Sequence, residues 1–194
     1  MVLGRDYSAA GLRWPVNRRG ARRGARVALA LALALCAPSA AGAASLTPKD
    51  AQIIAKALGF LDPPAAGGTV AVVYGSGNAA SKADADGIAS LFEGGLSFGG
   101  GTLNAKAVDV ASLGDGSGFV AIIVATGGQG DAVMAAAKAH KMLCATADAA
   151  LVQGGKCIMA VQSDPKVDIT VSRDAAKAAS IGFASAFSML IHEI

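Results

Sequence analysis

A strand, a glycine turn and a helix within residues 69–92 constrain the fold more than any other stretch of the sequence. Thr69 to Tyr74 is a continuous apolar run rich in β-branched residues, a composition typical of a strand covered on both faces in a parallel sheet. Gly75 to Asn78 interrupts this run, and residues 81–92 follow with apolar side chains at helical spacing. Because such a strand needs neighbours with the same connection, the chain is predicted to repeat strand and helix in an α/β fold.

The other apolar runs extend this pattern into a three-layer α/β sandwich. Parallel strands are predicted at 69–74, 103–110, 119–125 and 142–146, and helices at 47–59, 81–92, 131–140 and 172–194. A hairpin at 156–171 should extend one edge of the mostly parallel sheet. Its last strand should have one face exposed to solvent. Right-handed crossovers should place the first and third strands side by side, with helices on both faces.

The N-terminal stretch has the organisation of a secretory signal peptide. Seven arginines precede an apolar run from Val27 to Ala37, and Ala41-Gly42-Ala43 supplies a small-residue cleavage element. The predicted domains are therefore a leader at 1–43 and a single α/β domain at 44–194, with cleavage before Ser45 as the near alternative. An uncleaved membrane anchor is the other interpretation, although the apolar run is too short to span a bilayer.

Removal of the leader changes the charge and the cysteine count. The full chain has a net charge of +3, whereas the mature part has ten Lys/Arg against thirteen Asp/Glu and is mildly acidic. The mature part has no cluster of basic residues, which is the feature expected of a nucleic-acid-binding surface. Cys36 leaves with the leader, so Cys144 and Cys157 remain in a chain predicted to enter the periplasm. An even pair in an oxidising compartment predicts a disulfide.

Two glycine-rich turns contain the candidate ligand-binding residues, Gly75, Ser76, Gly77 and Asn78 in the first and Gly127, Gly128 and Gln129 in the second. The first resembles a dinucleotide phosphate loop, but its acidic partner would have to be Asp109, about 30 residues on rather than about 20. Ligands of open α/β sheets bind outside the carboxyl ends of strands, so both turns could line one cleft. Plain glycine turns are the alternative interpretation.

The sequence gives little support for catalysis or a metal site. His140 and Cys144 are candidates for a nucleophile and its base, or for a metal site together with Cys157. However, His140 falls on the apolar side of its predicted helix, where a core histidine is expected. No paired-carboxylate motif occurs in the sequence. The prediction is a non-enzymatic protein without cofactor or metal.

From residue 51 to the C-terminus the pattern of elements resembles the YfiR-like family of periplasmic proteins. The segments that carry this resemblance are the helix 51–61, the strands 70–74 and 142–148, the turn Gly154-Gly155, the strands 157–159 and 167–171, and the start of the final helix at 174–176. Members of this family are non-enzymatic and restrain a membrane-bound diguanylate cyclase through its periplasmic sensor domain. The resemblance implies an exported regulator whose partner is the periplasmic domain of an inner-membrane signalling protein.

A second resemblance implies the alternative function. Residues 69–110, with Val70 to Tyr74 and then Asn78 to Ala85, look like one lobe of the ABC-type periplasmic substrate-binding proteins. Those proteins have two lobes, and this chain has room for one. The resemblance therefore implies a small-ligand binding lobe that uses the two glycine turns.

The predicted final helix carries more apolar residues than one face needs. Phe183, Met189 and Ile194 lie at the margins of its core stripe. Either the helix at 47–59 covers them, or they form an exposed patch for a partner or for a second copy of the chain.

Overall fold

The computed structural model describes residues 45–194, so the predicted leader and the cleavage site before Ala44 lie outside the described residues. The helices are α1 (Pro48–Gly59), α2 (Ala79–Ser90), α3 (Asp131–His140), α4 (Ala149–Gln153), α5 (Arg173–Ala178) and α6 (Ser185–Ser188). The strands are β1 (Leu61–Asp62), β2 (Gly68–Tyr74), β3 (Leu96–Phe98), β4 (Gly101–Asp109), β5 (Ala121–Val124), β6 (Leu143–Thr146), β7 (Met159–Gln162), β8 (Asp168–Val171), β9 (Gly182–Phe183) and β10 (His192–Glu193).

Eight of these strands form one mostly parallel sheet in the order β10-β8-β7-β6-β5-β2-β4-β3. The strand β2 pairs in parallel with both β4 and β5, which confirms that the first and third predicted strands are neighbours. The hairpin of β7 and β8 is antiparallel. The predicted α/β fold with a C-terminal hairpin is therefore confirmed. Because the chain steps from β2 to β4 in one direction and from β5 to β6 in the other, right-handed crossovers put α2 and α3 on opposite faces.

The central strands are buried on both faces, as their composition predicts. The side chains from Val70 to Val73 in β2 are inaccessible to solvent, and every residue of β5 and β6 is buried. Helix α1 packs over this core and is fixed at its start by a capping box. The hydroxyl of Thr47 accepts the N–H of Asp50, and the carboxylate of Asp50 accepts the N–H of Thr47 at 2.8 Å.

The predicted continuous helix over 172–194 is wrong. Helix α5 is short, because Ser180 adopts a left-handed conformation with φ of 55° and the N–H of Ile181 donates to the carbonyl of Ala176. Gly182 and Phe183 then leave the helix direction and pair with β1 in a separate two-stranded sheet. The chain ends in the single turn of α6 and the short strand β10.

The predicted disulfide is present. Cys144 lies in β6 and Cys157 lies two residues before β7, with Cα atoms 5.3 Å apart. Both side chains are fully buried, so the bond joins β6 to the segment that leads into its parallel neighbour β7 inside the core. Within residues 45–194, none of the helices has the length and apolar character needed to cross a membrane.

Candidate functional site

The two glycine turns lie side by side at the carboxyl ends of β2 and β5. A Cβ atom added to Gly75 would be 2.4 Å from the carbonyl oxygen of Gly127, so the two backbones are in direct contact. This is the point where the strand order reverses, which is where open α/β sheets place their ligands. The structure thus brings together the two groups of residues that the sequence suggested for one cleft.

Side chains of α2 hold both turns in place. The hydroxyl of Ser81 accepts the N–H of Gly75 at 2.9 Å, and the side-chain oxygen of Asn78 accepts the N–H of Ser81 at 3.0 Å. On the next turn of α2, the carboxylate of Asp84 accepts the N–H of Thr126 at 2.8 Å. These hydrogen bonds use backbone N–H groups that could otherwise donate to a bound ligand.

The glycines of the turns also have structural reasons to be glycine. A Cβ atom at Gly128 would lie 2.1 Å from the carbonyl oxygen of Val73. Gly77 and Gly127 have φ angles of 70° and 74°, in the left-handed region that favours glycine. Packing and backbone conformation therefore account for these residues without a ligand, and a ligand-binding role for them stays a prediction.

Asp109 ends β4 beside the first turn, where the phosphate-loop interpretation requires an acidic residue. Its carboxylate accepts hydrogen bonds from the hydroxyl of Ser76 and from the N–H of Ala111, the latter at 2.8 Å. The Ser76 hydroxyl is the main cause that lowers the pKa of Asp109 below its usual value. A carboxylate kept ionised against Ser76 repels a phosphate at that position.

The cleft beside the second turn is almost closed. Its free volume is about 10 Å³, room for about one water molecule. It is lined both by apolar side chains such as Leu46 and by polar ones such as Asp84 and Asp148. Leu46 is buried there, and the hydroxyl of the preceding Ser45 donates to Asp84. The first described residues therefore fill the place where a small ligand would need about 300 Å³ or more.

The prediction that His140 belongs to the core is wrong. It is the last residue of α3 and is exposed, with its Nε2 3.4 Å from a carboxylate oxygen of Asp115. The buried side of α3 ends at Ala137, and residues 138–140 are all exposed. Cys144 is in the disulfide and offers no thiol to His140. Among the residues that the structure describes, no group of three His, Cys, Asp or Glu side chains could hold a metal ion.

The C-terminal residues present exposed apolar side chains. Met189 is 82% exposed, Leu190 66% and Ile194 44%, and these three residues are called the C-terminal patch below. Helix α1 does not cover Met189, so that interpretation is wrong for this residue. Phe183 is half-buried and stacks on Phe187 at 5.2 Å between ring centroids.

An apolar groove adjoins the C-terminal patch, and the sequence did not reveal it. It lies between α1, β8 and α6, has a volume of about 490 Å³ and is lined by Lys49, Gln52, Ile53, Lys56, Phe60, Val167, Ile169, Phe187 and Leu190. Val167 was the available signal, since it alternates with the polar Lys166 and Asp168 and belongs to the face predicted to be covered. It is 47% exposed, so this apolar face lacks a cover at the residue that directly precedes β8.

Comparison with known proteins adds no assignment, because neither the protein-family models nor the curated proteins contain a match to this chain. The likeness to the YfiR-like family therefore stays a prediction from the sequence pattern.

Proposed function

We propose that this chain is an exported, non-enzymatic regulatory protein that docks on the periplasmic domain of an inner-membrane signalling protein. The observation that supports this proposal is the C-terminal patch of Met189, Leu190 and Ile194. Exposed apolar patches mark interaction sites, and here Met189 and Leu190 are adjacent in the chain, with Ile194 four residues further on. The YfiR-like resemblance supplies the class of partner, and a second copy of the chain is the other occupant considered.

The backbone that carries the patch is held in place, which favours an interface over a frayed end. The N–H of Ile194 donates to the carbonyl of Val171 at 2.9 Å, and the carbonyl of Ile194 accepts the N–H of Arg173 at 3.0 Å. Phe187 is only 2% exposed and stacks on Phe60 at 5.6 Å. The patch is thus presented by anchored residues, and binding would need little additional ordering of the chain.

Met189→Glu tests the docking role directly. Because the side chain is almost fully exposed, the variant should unfold within about 0.5 kcal/mol of the wild type. Pull-down from solubilised envelope should recover a membrane partner with the wild type and lose it with the variant. Gln153→Glu, which adds the same charge at an exposed position of α4, is the matched control and should retain the partner. A Met189→Glu protein that folds and still captures the partner would exclude the patch.

Export and oligomeric state are tested separately from docking. Mass spectrometry of the exported protein should show loss of residues 1–43 or 1–44. Sedimentation of the wild type and of Met189→Glu tells a partner protein from a second copy, because only a homodimer interface at the patch predicts that the variant dissociates.

The small-ligand lobe remains the second candidate because the two glycine turns are in contact at the switch point of the sheet. The test is a thermal shift with a metabolite panel, in which a ligand at 100 times its Kd should stabilise the fold by about 2.7 kcal/mol. Gln129→Ala, a change at an exposed position of the second turn, should reduce any such shift.

A further inference from the structure

The apolar groove has the features of a binding site for an elongated apolar molecule. Its base is formed by buried side chains, among them Phe187 and Ile169. Helix α1 forms one wall from Lys49 to Phe60, a distance of about 16 Å at 1.5 Å per residue. Val167, which directly precedes β8, forms the opposite wall. The volume of about 490 Å³ lies within the range for small-molecule pockets.

The charge around the groove has one sign. Its ionic lining residues are Lys49 and Lys56, and no carboxylate lines it. These lysines are two turns apart on α1, about 10 Å, and neither forms an ion pair with a carboxylate within residues 45–194. An apolar surface bordered by unneutralised ammonium groups complements a molecule that is apolar along its length and anionic at one end.

The two ends of the groove differ. The aromatic rings of Phe60 and Phe187 stack at the end where α1 finishes, so this end suits a hydrocarbon tail. Lys49 lies in the first turn of α1, where the helix dipole adds positive potential. Lys56 lies between them, where its methylene stem can cover an apolar ligand while its ammonium stays in water.

We propose that this groove binds a fatty acid, with the acyl chain along Ile53, Ile169 and Phe187 and the carboxylate at Lys49. The proposal does not depend on a membrane partner. It concerns a small-molecule site on the side of α1, distinct from the glycine turns, although Leu190 belongs to both the groove and the C-terminal patch.

Calorimetric titration of the purified mature protein with decanoate, below its micelle concentration, tests the proposal. Binding should saturate at one molecule per chain. Hexanoate should bind about 200-fold more weakly if all four missing methylenes are buried. Decyltrimethylammonium has the same tail and the opposite charge, and it should bind far more weakly than decanoate.

Variants assign the binding to this groove. Lys49→Gln should weaken decanoate binding by about 1.4-fold to fivefold, the range for a solvated ion pair, whereas Lys56→Gln should weaken it less. Val167→Glu places a carboxylate in the groove at a half-exposed position and should abolish binding, with an unchanged thermal melt as the check on folding. Met189→Glu adds the same charge outside the groove and should bind decanoate normally.

The opposite results overturn the proposal. They are the absence of saturable binding, equal binding of the cationic amphiphile, or decanoate binding that Val167→Glu leaves intact. If decanoate does not bind and Val167→Glu instead abolishes capture of the membrane partner, the groove belongs to the protein interface and the fatty-acid assignment is wrong.

Discussion

Replacement of Gly128 by alanine asks whether the glycine turns serve the fold or a ligand. The φ angle of Gly128 lies outside the left-handed region, so the effect of a methyl group is steric. The new Cβ atom would lie 2.1 Å from the carbonyl oxygen of Val73 and 3.1 Å from that of Ala125. Both are backbone atoms, and ordinary contact begins near 3.4 Å. The turn must therefore move by more than 1 Å relative to β2.

That movement opposes hydrogen bonds that tie the same atoms together. The carbonyl of Val73 accepts the N–H of Ala125 at 3.0 Å, and the carbonyl of Ala125 accepts the N–H of Gly128 at 2.9 Å. Overpacking costs about 1–3 kcal/mol, and one weakened backbone hydrogen bond adds about 1 kcal/mol. We expect Gly128→Ala to lower the free energy of unfolding by about 2–4 kcal/mol, a fall in Tm of about 5–15 °C for a domain of this size.

Gly87→Ala is the matched control within the same domain. Gly87 is exposed in the middle of α2, and no atom lies within 4 Å of its added Cβ. Alanine should therefore stabilise the helix by about 0.5–1 kcal/mol. Urea unfolding followed by circular dichroism measures both variants. If Gly128→Ala unfolds like the wild type, the steric argument fails, and the glycine has a reason outside the packing of the turn.

Three further predictions follow from the core and from the ionised groups. Replacing Cys144 and Cys157 by alanine should destabilise the oxidised protein by about 3 kcal/mol on the chain-entropy model, and alkylation of Cys144 in native protein would contradict the disulfide. Asp50→Ala should destabilise by about 2 kcal/mol in urea, because it removes the capping box and leaves the half-buried N–H of Thr47 without its acceptor. Asp109 has a lowered pKa in the folded state, so its stabilising contribution is present above the ordinary carboxyl pKa and is lost as the pH falls through the folded value. Asp109→Asn should flatten the fall of the urea midpoint below about pH 4, and an unchanged pH profile would contradict this.

The parallel strands could be predicted because their continuous apolar composition indicates burial on both faces. Residues such as Val70 to Val73 and Ile122 to Val124 are apolar without alternation, which only a strand covered on both faces requires. The contact between the glycine turns also followed from the sequence, since the carboxyl ends of neighbouring parallel strands share one edge. The closing of that edge by Leu46 did not, because it depends on the path of the chain before α1.

The C-terminal region could not be predicted because local periodicity competes there with long-range pairing. The apolar spacing after Ile181 is compatible with a helix, but Gly182 and Phe183 pair with β1, about 120 residues earlier in the chain. The chain turns away from α5 at Ser180, which has a left-handed conformation. This residue is neither a glycine nor a proline, so the sequence does not indicate that the helix has ended. Short elements were missed for a related reason, since α4 has only 5 residues and gives no period to read.

The positions of the first and last described residues have a practical consequence for how the molecule can be held on a surface. Ser45 contacts Asp84 at the carboxyl edge of the sheet, whereas Ile194 bonds to the end of β8, which runs antiparallel to β7 and finishes at the opposite edge. The two attachment points are separated by at least the height of the sheet, about 13 Å for the four residues of β8. A tether reached through the chain before Ser45 leaves Met189 facing solution, whereas one joined at Ile194 starts within the C-terminal patch and obstructs it.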